Sequence, residues 1–315
     1  MGDFSLFAVA LMVLGACALD RLLGEARRFH PLVGFGQLAA CVETRFNIPD
    51  TNSRASQYRG LACWALLVLV PTLGIAFLIP QLDDLFQLLI GTGILYLVIG
   101  GRSLQEHATR VSEDLNAGNL VAAREHVSWL VSRDTSQLDA TGVSKACIES
   151  VLENGNDALF APIFWFCLFG PAGAILYRLS NTLDAMWGYR TTRYLNFGRA
   201  AARLDDLLNF LPARLTALSY ALAGKTRLAI QCWQAQAPQW DSPNAGPVMA
   251  AGAGALNLQL GGAADYHGAT EARPQLGMGT LPKPTDIGRA QALLRKALRI
   301  WLATITLCAI VAAIF

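Results

Sequence analysis

Apolar residues along this chain gather into long runs separated by short polar connections. Residues 60–79 ("GLACWALLVLVPTLGIAFLI") and 299–315 ("RIWLATITLCAIVAAIF") are long enough, or nearly so, to cross a hydrocarbon layer that takes roughly 20 helical residues. Residues 4–19 and 85–100 are slightly shorter, are flanked by charge or turn residues, and predict two more spans. A fifth run, 158–179, is interrupted by Pro162 and by Gly170-Pro171. It is expected to be broken, re-entrant or buried, because irregular backbone at membrane depth needs shielding by protein or a wet cavity.

Between these runs the spacing is helical. Asn119 is placed to cap a helix through about Val131, and a second helix fits residues 140–154, with Val143, Cys147 and Val151 on its apolar face. "AARLDDLLNF", "PARLTALSYALAGKT" and residues 285–299 predict further helices. From Ala237 to Pro284 the composition shifts to Gly, Pro, Ala and Asn, which reads as loops around one small-residue helix. No internal repeat and no convincing two-residue alternation occurs. The expected fold class is all-α: a multi-pass integral membrane protein, one domain over 1–315, with a large polar region of helices and loops facing the cytoplasm.

Composition agrees: 53% of residues are apolar and 15% charged, and the mean hydropathy is +0.37, against about 25% charged in an average soluble domain. Residues 20–59 carry Arg21, Arg27, Arg28, Arg45, Arg54 and Arg59, whereas the connection starting at Pro80 carries only acids. The positive-inside rule therefore puts the first loop, and most of 101–298, on the cytoplasmic side. Lys283, Arg289, Arg295 and Lys296 support that side for the approach to the last span. A net charge of +2 without a clustered basic face offers nucleic acid no footprint. The seven cysteines have neither disulfide-framework nor zinc spacing. "LGAC" with Cys17 as an acylated residue is rejected, because the chain opens without a basic segment.

Three polar stretches are candidates for chemistry. Glu149, Glu153 and Asp157 fall at i, i+4 and i+8, so on a continuous helix they share a stripe with Lys145. A row of carboxylates suits Mg2+ bridging phosphate oxygens; a solvated helix face with a Lys145–Glu149 pair explains the same spacing. Second, Asn181 and Asp184, Arg190 and Arg193, and Asp205 and Asp206 after Arg203 mix the groups that hold metal and phosphate together, or pair on helix surfaces. Third, "DSPNAGPVMAAGAGALNLQLGGAADYHG" from Asp241 offers backbone N–H groups around Ser242, Asn244 and Gly246, with Gly261-Gly262 permitting close approach of a large flat ligand. Its middle also reads as a small-residue packing helix.

Taken in order, "DRLLGE", "HPLVGFG", "VSRDTSQLD", "IESVLENGND", "YRLSNTLDAMWGY", "FGRAAARLDDLLNFLPARLTA", "SPNAGPVMAAGAGALNLQLGG" and "PQLG" resemble the CobD/CbiB family of cobalamin biosynthesis, adenosylcobinamide-phosphate synthases, over about Asp20 to Leu281. The chain departs from the family pattern at Gly24-Glu25-Ala26, where Gly-Asp-Pro is usual, and at Asp157-Ala158, where Asp-Gly is frequent. The resemblance implies an inner-membrane enzyme that joins adenosylcobyric acid to (R)-1-amino-2-propanol phosphate, or a close amino alcohol, as an amide on the f propionate. It implies ATP and Mg2+, with an acyl phosphate on the route. On that reading Glu149, Glu153 and Asp157 hold the metal, with Asn154, or Asn181 and Asp184, completing the shell. Arg133, oriented by Asp134, Lys145, Arg190 and Arg193 grip nucleotide or substrate phosphate. Asp205 or Asp206 takes the amine proton, and Ser242, Asn244, Gly246 and Tyr266 line the corrinoid side. Membrane lipid surrounds the spans, and a homo-oligomer or a complex with other enzymes of the pathway is compatible with the family. Two other readings fit the same residues: a non-catalytic AmpE-like membrane sensor or accessory protein, and a Mg2+-dependent intramembrane phosphoalcohol or prenyl transferase.

Overall fold

The structure, a computed structural model, describes residues 4–25, 30–48, 53–266 and 269–314, without the side chains of 264–266 and 269–271. In chain order the helices are α1 (Leu6–Leu23), α2 (Pro31–Phe46), α3 (Ser53–Trp64), α4 (Val70–Leu78), α5 (Asp84–Val98), α6 (Gly101–Asn116), α7 (Leu120–Ser128), α8 (Ala140–Gly155), α9 (Ala161–Trp187), α10 (Arg199–Ala223), α11 (Thr226–Gln236) and α12 (Ala245–Leu256). Strands β1 (Leu260–Gly261), β2 (Ala264–Tyr266), β3 (Ala269–Glu271) and β4 (Gln275–Leu276) follow, and then α13 (Pro284–Ile314). The protein is a predominantly helical, multi-pass membrane protein. By length and composition, five helical stretches among the described residues can cross a bilayer: Leu6–Leu23, Ser53–Gln81, Asp84–Asn116, Ala140–Trp187 and Pro284–Ile314. The strands form two small antiparallel ribbons, β1 with β4 and β2 with β3. These ribbons are an addition to the loops expected between Ala237 and Pro284.

The chain divides into two compact units. Unit 1 comprises Met1–Gly100, Ala161–Asn209 and Ile305–Phe315. In it α1 packs on α5 and α9, and α2 and α4 pack on α9. Its core joins Cys63, Trp64, Leu67 and Val68 to Leu183 and Trp187 of α9 and to Phe197. Gly60 lets the α3 backbone approach the Phe197 carbonyl more closely than any Cβ would allow. Inside α9 the helical path breaks at Phe169 (φ −131°, ψ 15°) and Gly170 (φ 61°, ψ −150°), just before Pro171. The cause is local: proline has no N–H for the preceding turn, and glycine accepts the left-handed φ that the break needs.

Proline has a different outcome in α10, which continues through Pro212 although the sequence suggested two helices there. Pro212 cannot donate to the carbonyl of Leu208, four residues earlier. Trp165 Nε1 donates to that carbonyl instead, at 2.9 Å.

Unit 2 comprises Gly101–Phe160 and Phe210–Thr304. Helices α6, α7 and α12 pack around α8, and α11 lies along α12. Side-chain caps start the helices at the expected places. Asn119 Oδ1 accepts from the Ala122 N–H at 3.1 Å ahead of α7, and Asp139 Oδ1 accepts from the Gly142 N–H at 2.7 Å ahead of α8. Beyond Gly155 the helix passes into a π-turn, Asn156–Phe160, so Asp157 stays on a helical path that is locally over-wide.

Candidate functional site

Helix α8 presents Glu149 to the interior of unit 2, where it is 4% exposed. Its Oε2 accepts from Arg133 Nη2 at 2.8 Å and from Arg273 Nη2 at 3.2 Å, and its Oε1 accepts from the Gly261 N–H at 2.7 Å. Lys145, one turn before it, donates to the Gly261 carbonyl at 2.9 Å. Arg273 Nε donates to the Gly262 carbonyl at 3.1 Å, and the Gly262 N–H bonds to the Pro274 carbonyl at 3.1 Å. Gly261 makes this possible: at φ +69° its backbone turns both its N–H and its C=O toward α8, and a Cβ there would collide with the Pro274 carbonyl. The result is a buried ion cluster in which two guanidiniums and a backbone amide converge on one carboxylate and fasten the β1–β4 ribbon to α8.

The rest of the acid row lies further along the same helix. Glu153 and Asp157 are half-buried. Asn154 Nδ2 donates to Ser150 Oγ at 2.7 Å, and Asn156 Nδ2 donates to Asp157 Oδ1 at 2.8 Å while its own Oδ1 accepts from Thr216 Oγ1 at 2.9 Å. Holding Mg2+ requires carboxylate oxygens that are free to coordinate it. Both oxygens of Glu149 are already taken by cationic and backbone donors, and among the described residues no group of three or more His, Cys, Asp or Glu is arranged to hold a metal ion. As a set of three, Glu149, Glu153 and Asp157 do not fit a Mg2+ site, because Arg133 and Arg273 stand where the row called for a cation. Asp134, beside Arg133, is turned away into its own loop. It accepts from the Ser136 N–H at 2.8 Å, and this bond holds its carboxyl below the usual range.

The second predicted cluster belongs to unit 1 and forms two separate arrangements. Asp205, 7% exposed, accepts from Asn209 Nδ2 at 3.0 Å and Asn181 Nδ2 at 3.3 Å, and Tyr177 donates to Asn209 Oδ1 at 3.0 Å. Asp206 and Asp184 are half-buried and Arg190 is exposed. Arg193 instead forks onto Glu43, Nε to Oε1 at 2.9 Å and Nη2 to Oε2 at 3.0 Å, with Asn47 bonding to both partners. Burial acts to raise the Glu43 carboxyl. The hydrogen bonds from Arg193 and Asn47 outweigh it and hold the group below the usual carboxylate range.

The third stretch forms the N-terminal turn of α12 in unit 2. Ser242 Oγ accepts from the N–H groups of Asn244 (3.3 Å) and Ala245 (3.1 Å), and the Gly246 N–H bonds to the Ser242 carbonyl at 3.3 Å. Asn244 Oδ1 accepts from Arg214 Nη1 at 2.9 Å. The side chain of Tyr266 lies outside the described residues. This turn borders a cleft of about 420 Å³ whose walls include Trp233, Trp240, Arg214 and Asp241.

Sequence reasoning missed Arg273, Glu43, Arg214 and the two tryptophans. Arg273, in "ARPQLG", had one visible signal: it is the one Lys or Arg between Arg227 and Lys283, in a stretch rich in Gly, Ala and Pro. Glu43 had none, since its partner lies 150 positions away.

A family model described as "CobD/Cbib protein" matches residues 13–294. A protein of Stutzerimonas stutzeri is 54% identical over 297 residues, covering 94% of this chain and 96% of its own length. One of Chromobacterium violaceum is 53% identical over 298 residues (93% and 95%), and one of Mycobacterium tuberculosis is 38% identical over 292 residues (91% and 91%). Each of the three is named cobalamin biosynthesis protein CobD. No solved structure matches the chain.

Proposed function

Because the chain belongs to the CobD/CbiB family, we propose that it acts in cobalamin biosynthesis as an amide-forming enzyme of the inner membrane, with its site on the cytoplasmic side. It joins adenosylcobyric acid to (R)-1-amino-2-propanol phosphate, or a close amino alcohol, through the f propionate, with ATP and Mg2+ as co-reactants. The observation that carries this reading is the match over residues 13–294, with relatives named for cobalamin biosynthesis at more than half identity.

The chemistry follows from the bond made. Condensing a carboxylate with an amine in water is uphill unless the departing oxygen is first made a leaving group. Transfer of the terminal phosphoryl group of ATP to a carboxylate oxygen gives an acyl phosphate. The amine then forms the C–N bond, and inorganic phosphate leaves with that oxygen. Arg273, whose side chain is 14% exposed against 5% for Arg133, supplies the anion-binding character: Glu149 fixes its guanidinium plane, and a preset plane loses little freedom when it meets phosphate oxygens. Lys145, on α8 one turn before Glu149, adds a further cation. The proton that the attacking amine loses passes to water.

The test is direct. The full-length protein in detergent is incubated with adenosylcobyric acid, aminopropanol phosphate, ATP and Mg2+, and the corrinoid is followed by mass spectrometry. A mass gain of one amide linkage that requires ATP supports the ligase. Bound corrinoid without that gain would refute it and favour an accessory, non-catalytic role.

A further inference from the structure

The cleft bordering the α12 turn is unused by the residues assigned above. Trp233 comes from α11 and Trp240 from the segment after it, and Pro238, Pro243 and Pro247 stiffen the wall between them. Half-buried indoles in a stiff wall offer flat apolar faces at little ordering cost.

The charged groups narrow the ligand. Arg214 is committed, with Nη1 donating to the Phe210 carbonyl (2.7 Å) and Asn244 Oδ1 (2.9 Å) and Nη2 donating to the Pro243 carbonyl (3.1 Å). Its guanidinium also lies 3.6 Å from the centre of the Phe210 ring. Asp241 on the rim offsets the charge of Arg214, so the cleft holds little net attraction for phosphate and is better suited to a neutral planar ring carrying hydrogen-bond donors. The Arg273 guanidinium lies 5.3 Å from the centre of the Trp240 ring and, through its Nη2, bonds to Glu149. A ring bound in this cleft therefore sits one side chain away from the ion cluster.

We infer that this cleft receives a purine base, stacked on Trp233 or Trp240. The inference deepens the function proposed above and rests on it for the two sources such a base could have: ATP, or the adenosyl group carried by the corrinoid.

Equilibrium dialysis of the full-length protein in detergent against ATP, adenosylcobyric acid and cyanocobyric acid, which lacks the adenosyl group, tests it. Base–aromatic stacking predicts that Trp233→Ala with Trp240→Ala weakens binding of the base-bearing ligand about 5- to 150-fold. Phenylalanine at both positions, which keeps a ring and guards against a folding defect, restores most of it. Loss for ATP alone makes the nucleotide the source. Loss for adenosylcobyric acid but not for the cyano form makes it the adenosyl group. Affinities for all three ligands that stay within about twofold of the parent, or equal losses for both corrinoids with ATP unaffected, overturn the inference. Binding is read without turnover, so a protein that binds the base but forms no amide refutes the ligase and not the cleft.

Discussion

Glu149 in unit 2 and Glu43 in unit 1 are both buried glutamates held by arginine, yet they do different work. Glu149 takes two guanidiniums and a backbone amide, and the Arg133 and Glu149 side chains are each only 5% exposed. Glu43 takes one guanidinium, and the Arg193 side chain stays 56% exposed. Chemistry alone does not separate them; how far the cation is removed from water does. An arginine that keeps its water loses little when its partner goes, whereas two arginines in an interior lose the one carboxylate that both of them bond to.

The largest effect that would break this contrast is at Glu149. Glu149→Ala takes from buried Arg133 and Arg273 the carboxylate that both bond to and is expected to cost about 3–5 kcal/mol. The checks are thermal unfolding in detergent and proteolytic release of the ribbon around Gly261. An unchanged melt would mean that the cluster does not organise unit 2. Gly261→Ala attacks the same fastening from the backbone side. At φ +69° it is expected to cost about 1–3 kcal/mol, and its effect should largely vanish in a Glu149→Ala background if the two act as one device. Independent, additive losses would refute that coupling.

In unit 1, Glu43→Gln should cost no more than about 1 kcal/mol and show chiefly as faster cleavage between residues 188 and 198. A loss as large as that at Glu149 would erase the distinction. The smallest effect is in pH. Because the folded Glu43 carboxyl is held below its ordinary value, its contribution is complete above about pH 4.3 and is lost as the pH falls through the depressed folded value. Cleavage in that loop should rise on acidification in the parent and be flat in Glu43→Gln.

The two glutamates also mark what could be read in advance. The cap at Asn119 was legible because a capping side chain bonds three residues along its own chain. The four-residue spacing correctly put Lys145, Glu149 and Glu153 on one helix. What that stripe faces was illegible, because it is decided by Arg133 and Arg273, 16 and 124 positions from Glu149. The β ribbons were missed because two- and three-residue strands are too short to show an alternation. Pro212 suggested a helix break that does not occur, because the acceptor it orphans is served by a tryptophan 43 positions away.

The span between Glu149 and Arg273 also imposes an order of events during synthesis. Arg133 and Glu149 leave the ribosome close together and can pair early, but Gly261 and Arg273 arrive only after most of the 315 residues have been made. Until then the carboxylate has one of its three final donors, and closing the ribbon onto α8 must draw in a loop of more than a hundred residues. A nascent chain that stalls anywhere in that interval carries an incomplete ion cluster, a form that quality-control proteases in the membrane could tell from the finished protein.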